Sequence, residues 1–154
     1  MATTKKITPF LWFDGQAEEA AKYYTSIFPN SKIEKIIRNG DTVMVVDFSL
    51  DGQKFTALNG GPQFKFNESI SFVVSCDTQE EVDYFWEKLT ADGGEESMCS
   101  WLKDKFGVSW QIVPEALPRL LSDPDPAVAQ TAMAAMMKMR KIIIADLQKV
   151  PEQA

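Results

Sequence analysis

Hydrophobic positions along this chain change period in an order that repeats. Ile7 to Phe13 is a bulky run of strand type, and Gln16 to Phe28 then places Ala17, Ala20, Ala21, Tyr24 and Phe28 at helical spacing, the three-and-four periodicity of a helix with one buried face. Pro29-Asn30 ends that helix. Ile33 to Arg38 and Thr42 to Leu50 follow as strands joined by Asn39-Gly40, a pair that tolerates the positive φ of a tight hairpin. Asp51-Gly52 reverses the chain into Lys54 to Asn59, and Gly60-Gly61-Pro62 closes a β-α-β-β-β pattern.

The pattern then begins again. Glu68 to Cys76 reads as a strand and Thr78 to Leu89 as a helix opened by the capping box Thr78-x-x-Glu81. Gly93-Gly94 breaks the chain before Trp101 to Pro114, where bulky residues flank a turn signal at Lys105-Phe106-Gly107 and predict a hairpin. From Ser109 the residues alternate. Trp110 and Ile112 fall on one face, a core face, while Ser109, Gln111 and Val113 fall on the other, a candidate pocket wall. Cys99 is expected on a strand beside Ser100 and Trp101, and Lys103, Asp104 and Lys105 in a solvated turn. An offset of 63 residues lays Ile7 on Ile70, Asp14 on Asp77, Gln16 on Gln79 and Glu18 on Glu81; an offset of 55 lays Gly52–Asn59 on Gly107–Pro114, with Thr56 on Gln111. One motif is used twice.

Beyond Pro114 the character turns helical. Glu115 to Leu121 predicts a short helix, and Asp125 is placed to cap another that begins at Pro126. Val128, Ala132, Ala135, Met136, Met139, Ile143 and Leu147 recur at three and four residues, so a single apolar face is expected to run through the tail and to pack on its own domain or a second subunit.

Length and composition narrow the function classes. At 154 residues the chain suits one domain, with modules at about 7–60 and 68–114 making up 1–114 and a helical extension of the same domain at 115–154. No run approaches the roughly 20 apolar residues of a membrane span, and the N-terminus lacks a secretion-type pattern. Formal charge is −6 with scattered lysines, so the basic footprint of nucleic-acid binding is missing. Cys76 and Cys99 have no metal-type spacing and are expected to be small, reduced core thiols of a cytoplasmic protein. Histidine is absent, which removes the commonest metal ligand and the commonest acid–base side chain near neutral pH.

Paired modules carrying F-L-W-F-D-G at 10 to 15, A-L-N-G-G-P at 57 to 62, F-K-F-N-E-S-I-S-F at 64 to 72 and W-L-K-D-K-F-G-V-S-W-Q-I-V-P at 101 to 114 resemble the PhnB-like group of the vicinal oxygen chelate superfamily, which also carries the label of 3-demethylubiquinone-9 3-methyltransferase. The resemblance covers residues 7 to 114 and implies an α+β fold, two β-α-β-β-β modules forming an open eight-stranded cup, with the helical extension added. It also implies a superfamily of metal-dependent enzymes, such as glyoxalase I and extradiol dioxygenases, together with metal-free binders such as bleomycin-resistance proteins. Enzymatic members hold a divalent metal with His, Glu or Gln on the first and last strands of each module. Here those positions fall near Ile7-Thr8, Thr56, Ser69-Ile70 and Gln111, with Glu68 adjoining. Such a set would bind zinc, nickel or iron poorly. The methyltransferase label finds no support in the residues either: the first strand runs into Asp14-Gly15-Gln16 without the glycine cluster that S-adenosylmethionine sites usually use.

The expected ligand pocket comprises Trp12, Thr56, Asn59, Glu68, Trp101 and Gln111, with Trp101 the best candidate for stacking a planar ligand. No residue is assigned as catalytic or metal-binding, and no cofactor is expected. The function that follows is binding or sequestering of an unidentified small molecule by a homodimer. The alternative is an enzyme of the same superfamily, glyoxalase-, dioxygenase- or lyase-like, with a degenerate or substrate-assisted metal site and Glu68 and Gln111 as its remnants.

Overall fold

A computed structural model describes residues 6–149, and the chain divides into two units, residues 1–66 and 67–154. In the first unit, β1 (Phe10–Phe13), α1 (Ala17–Ile27), β2 (Lys32–Asn39), β3 (Thr42–Leu50) and β4 (Gln53–Asn59) form a four-stranded mixed sheet in the order β1-β4-β3-β2. β1 lies parallel to β4, and the two hairpins are antiparallel. The β2–β3 turn is Gly40-Asp41, since Asn39 is already paired with Thr42, and Gly40 takes the positive φ of 63°. α1 covers one sheet face through Ala17, Ala20, Ala21, Tyr24 and Ile27, against Leu11, Phe13, Val46, Phe48, Phe55 and Ala57. Tyr24, Phe48 and Phe55 stack in series, with ring centroids 6.2 Å and 5.4 Å apart.

The second unit repeats this plan with β5 (Ser71–Cys76), α2 (Gln79–Thr90), a two-residue strand β6 (Glu95–Glu96), β7 (Trp101–Lys103) and β8 (Ser109–Pro114), in the order β5-β8-β7-β6. The repeat extends to register. Phe10 pairs with Thr56 and Val73 with Gln111, while Phe13 pairs with Asn59 and Cys76 with Pro114; these are the sequence offsets of 63 and 55. Thr78 caps α2 by accepting from the Glu81 backbone N–H at 3.1 Å, and the Glu81 carboxylate accepts in return from Asp77 N–H at 2.6 Å. The box therefore closes one residue earlier than its usual form. Eight strands in two open sheets match the α+β expectation.

Three local expectations are corrected. Ile7, Thr8, Ser69 and Ile70 precede β1 and β5 rather than lying on them, and all four are exposed. Cys99 and Ser100 are not strand residues: they form a turn with φ of 58° and 79°, held by Cys99 N–H to Met139 O at 2.8 Å and Ser100 N–H to Arg140 O at 2.9 Å. The tail is not one apolar helix. α3 (Ala116–Leu121) and α4 (Pro126–Met136) form as expected, with Asp125 capping Ala127 N–H, but the chain then leaves the helix and lies along the second unit's own module. Gln79 grips it there, donating to Ile142 O at 3.0 Å and accepting from Ile144 N–H at 2.7 Å. Ile142, not Ile143, joins Leu117, Leu120, Ala132 and Leu147 in the tail's core. Turns at 137–138 and a bend at 140–141 end the helix after Met136, so the three-and-four spacing of a helix no longer sets which residue faces inward. No helix among the described residues is long and apolar enough to cross a membrane.

Candidate functional site

Each sheet buries one face under its helix and carries a mixture of polar and apolar residues on the other. In the first unit the residues opposite α1 form cross-strand rows: Phe10, Thr56, Asp47 and Lys35 in one, Trp12, Leu58, Val45 and Ile37 in the next. Thr56 donates its hydroxyl to Asp47 Oδ1 at 2.8 Å. Asp47 is thus a member of this face that sequence reasoning missed; its place between Val46 and Phe48 on an alternating strand was the available signal. Trp12 lies under the segment that follows β4. Its indole N–H donates to Gly61 O at 2.8 Å, its ring meets Phe64 edge-on at 4.9 Å, and a Cβ on Gly60 would come within 2.4 Å of the ring. Only glycine fits that approach.

Asn59 is removed from this face. It follows Ala57 at the two-residue spacing of a strand and so turns toward α1, where its Oδ1 accepts from Ala17 N–H at 2.9 Å and its Nδ2 donates to Val43 O at 3.0 Å. Gln16, at the helix start, supplies no side-chain cap; Asn59 supplies the acceptor from 42 residues away, satisfying an amide that the first helical turn leaves without a partner.

In the second unit the face opposite α2 carries the rows Val73, Gln111, Trp101 and Ser71, Ser109, Lys103. Gln111 donates from Nε2 to Ser71 Oγ at 2.8 Å. Trp101 and Gln111 are cross-strand partners, as the hairpin predicted. Glu68 is exposed and forms an ion pair with Lys103; the hydrogen bond from that ammonium holds the Glu68 carboxyl below its usual range and raises Lys103. Asp104 is not solvated. It is 3% exposed, and its carboxylate accepts from Phe106 N–H, Val108 N–H and the Trp110 indole at 2.8, 3.1 and 2.9 Å. It is the internal brace of the hairpin.

These residues do not fit the divalent metal that the resemblance implies. The opening positions Ile7, Thr8, Ser69 and Ile70 lie off the strands, the parallel-strand neighbours of Thr56 and Gln111 are the hydrocarbon side chains Phe10 and Val73, and the Thr56 hydroxyl and Gln111 amide are hydrogen-bonded within the protein. Hydroxyl and amide oxygens without imidazole or thiolate are a poor set for zinc, nickel or iron. Among the described residues no group of three or more His, Cys, Asp or Glu side chains could hold a metal ion. Cys76 is fully buried, and burial first, then Glu81 and Asp77, pushes its thiol up to about 12, which suits packing rather than nucleophilic attack.

Two β-α-β-β-β units, each with a helix-covered face and a chemically mixed outer face, define a protein of the vicinal oxygen chelate superfamily. Residues 5–113 match the family described as 3-demethylubiquinone-9 3-methyltransferase, and the chain belongs to that family, in its PhnB-like group. A solved PhnB protein from Bacillus cereus with the same description is 38% identical, with 71% of this chain and 99% of that chain covered and a TM-score of 0.67. Protein PA1353 from Pseudomonas aeruginosa is 20% identical over 73% of this chain and 98% of its own, with a TM-score of 0.61. The fosfomycin resistance protein FosX from Listeria monocytogenes, solved with Mn(II) and sulfate, is 14% identical over 73% and 91%, with a TM-score of 0.53, and shares the fold. No curated protein matches the chain.

Proposed function

We propose that this protein binds or sequesters a small organic molecule on the outer faces of its sheets, without the metal of its superfamily. The observation that carries this reading is the pairing of Phe10 with Thr56 and of Val73 with Gln111 across the parallel strands: apolar surface next to fixed hydrogen-bonding groups, the usual make-up of a small-molecule site. Phe10 and Val73 are 61% and 56% exposed. Methyl transfer does not enter this reading, since neither unit has the parallel sheet and glycine-rich first turn that such chemistry commonly uses. The protein acts as a homodimer in the cytoplasm, where the free cysteines Cys76 and Cys99 stay reduced.

Nuclear magnetic resonance with isotope-labelled protein and a small-molecule fragment set tests the binding, with elemental analysis alongside. Expected are shifts confined to the outer-face residues and no stoichiometric transition metal after dialysis. About one tightly held zinc, nickel or iron per chain, or fragments that perturb only other surfaces, overturns the reading. Light scattering at micromolar concentration is expected to exceed the 17.3 kDa of one chain; a monomer refutes the dimer.

A further inference from the structure

We infer that the outer face of the second unit's sheet takes the carbonyl end of a neutral, planar molecule, held by the Trp101 indole N–H and the hydroxyls of Ser71 and Ser109. This rests on the reading of the sheet faces as binding surfaces and specifies what one of them accepts.

The inference starts from a buried group without a partner. Ser109 is 1% exposed, and its Oγ makes no hydrogen bond, an arrangement that costs stability and that native proteins rarely keep without a reason. Its strand neighbours are Ser71 on β5 and Lys103 on β7. Ser71 Oγ already accepts from Gln111, so its own proton is left to donate. Trp101, one row along, completes the set. The indole N–H groups of Trp12, Trp86 and Trp110 are bonded to Gly61, Glu96 and Asp104, whereas that of half-buried Trp101 has no partner among the described residues.

One buried hydroxyl without a partner and two half-buried donors on the same sheet face call for an acceptor-bearing ligand, and the indole beside them for a flat one. Charge decides between a carbonyl and a carboxylate. Lys103 is the cation on these rows, but it is held by Glu68, and Glu95 stands opposite it on β6. No net positive charge remains to favour an anion. A neutral carbonyl needs none.

Three ring-matched probes, acetophenone, benzoate and benzylamine, separate the possibilities when titrated into the labelled full chain. Acetophenone is expected to shift the Trp101 indole N–H and the backbone amides of Ser109 and Gln111, with benzoate and benzylamine at least fivefold weaker. Ser109→Ala is expected to weaken acetophenone about five- to tenfold, as loss of one hydrogen bond does, while leaving the melting temperature unchanged or higher because an orphaned hydroxyl is gone. Trp101→Phe, which keeps a ring and loses the donor, is expected to weaken it similarly. If benzoate or benzylamine binds this face as well as acetophenone, or Ser109→Ala lowers the melting temperature and leaves affinity unchanged, the carbonyl assignment falls while face binding stands. If no probe perturbs the face and the fragment set also fails there, both fall.

Discussion

Removing the Asp104 carboxylate is expected to unlock the hairpin that carries both the core residue Trp110 and the face residue Gln111. Asp104→Ala leaves two buried donors, Val108 N–H and the Trp110 indole, without acceptors, in addition to the half-buried Phe106 N–H. At about 1–3 kcal/mol for each buried orphan, the loss is about 2–6 kcal/mol. That is a large part of the roughly 5–15 kcal/mol that holds an ordinary domain together. Trp110→Phe isolates one bond. It keeps a ring against Phe72, whose centroid lies 5.5 Å away, and loses the indole donor to a charged acceptor, for about 1.5–3 kcal/mol. The two changes share a partner, so the double variant is expected to be less destabilised than their sum by about 1–2 kcal/mol. Urea unfolding followed by tryptophan fluorescence and circular dichroism gives all three values, and the Trp110→Phe arm remains readable if Asp104→Ala does not fold. An Asp104→Ala cost under about 1 kcal/mol, or additive single effects, would refute the brace.

Trp110→Ala is expected to cost about 3–5 kcal/mol and Gln111→Ala about 1 kcal/mol or less, because the first empties a core site and the second loses one half-buried bond; equal losses in urea unfolding would contradict the assignment of strand faces. Asn59→Ala is expected to cost about 1–2 kcal/mol and to loosen the first turn of α1, seen as faster amide hydrogen exchange at Ala17; unchanged exchange would show that the cap is dispensable. Thiol titration at pH 8 is expected to modify Cys99 and spare Cys76 until the chain unfolds. Because the folded Cys76 thiol is raised to about 12 from about 9, the unfolded state sheds this proton first as pH rises above 9, so the stability it contributes is present below that pH and declines above it. Cys76→Ala is expected to flatten that alkaline decline, and an unaltered slope would remove Cys76 from the account.

The repeated β-α-β-β-β pattern, the offsets of 63 and 55, the Trp101–Pro114 hairpin and the division of Trp110 from Gln111 were legible in the chain because each depends on local chemistry: a glycine at a reversal, a capping hydroxyl, an apolar period of two or near four. What escaped were features fixed by which groups pair, across the fold or within one closed hairpin, rather than by period. Asn59 reads as a pocket amide until β1 and β4 pair and bring it to the start of α1. Asp104 reads as a surface turn until the hairpin closes its own backbone amides and the Trp110 indole around the carboxylate. The tail's helical spacing continues past Met136, yet the chain turns there: the Met139 and Arg140 carbonyls accept from Cys99 and Ser100 N–H, and Gln79 grips the segment at Ile142 and Ile144. Sequence by itself determined most of the elements and the division of Trp110 from Gln111, since side-chain sterics and backbone preference act within a few residues. Only the tertiary structure decided which polar groups found partners and which, like the Ser109 hydroxyl, did not, because a buried hydrogen bond is a matter of where two distant segments meet.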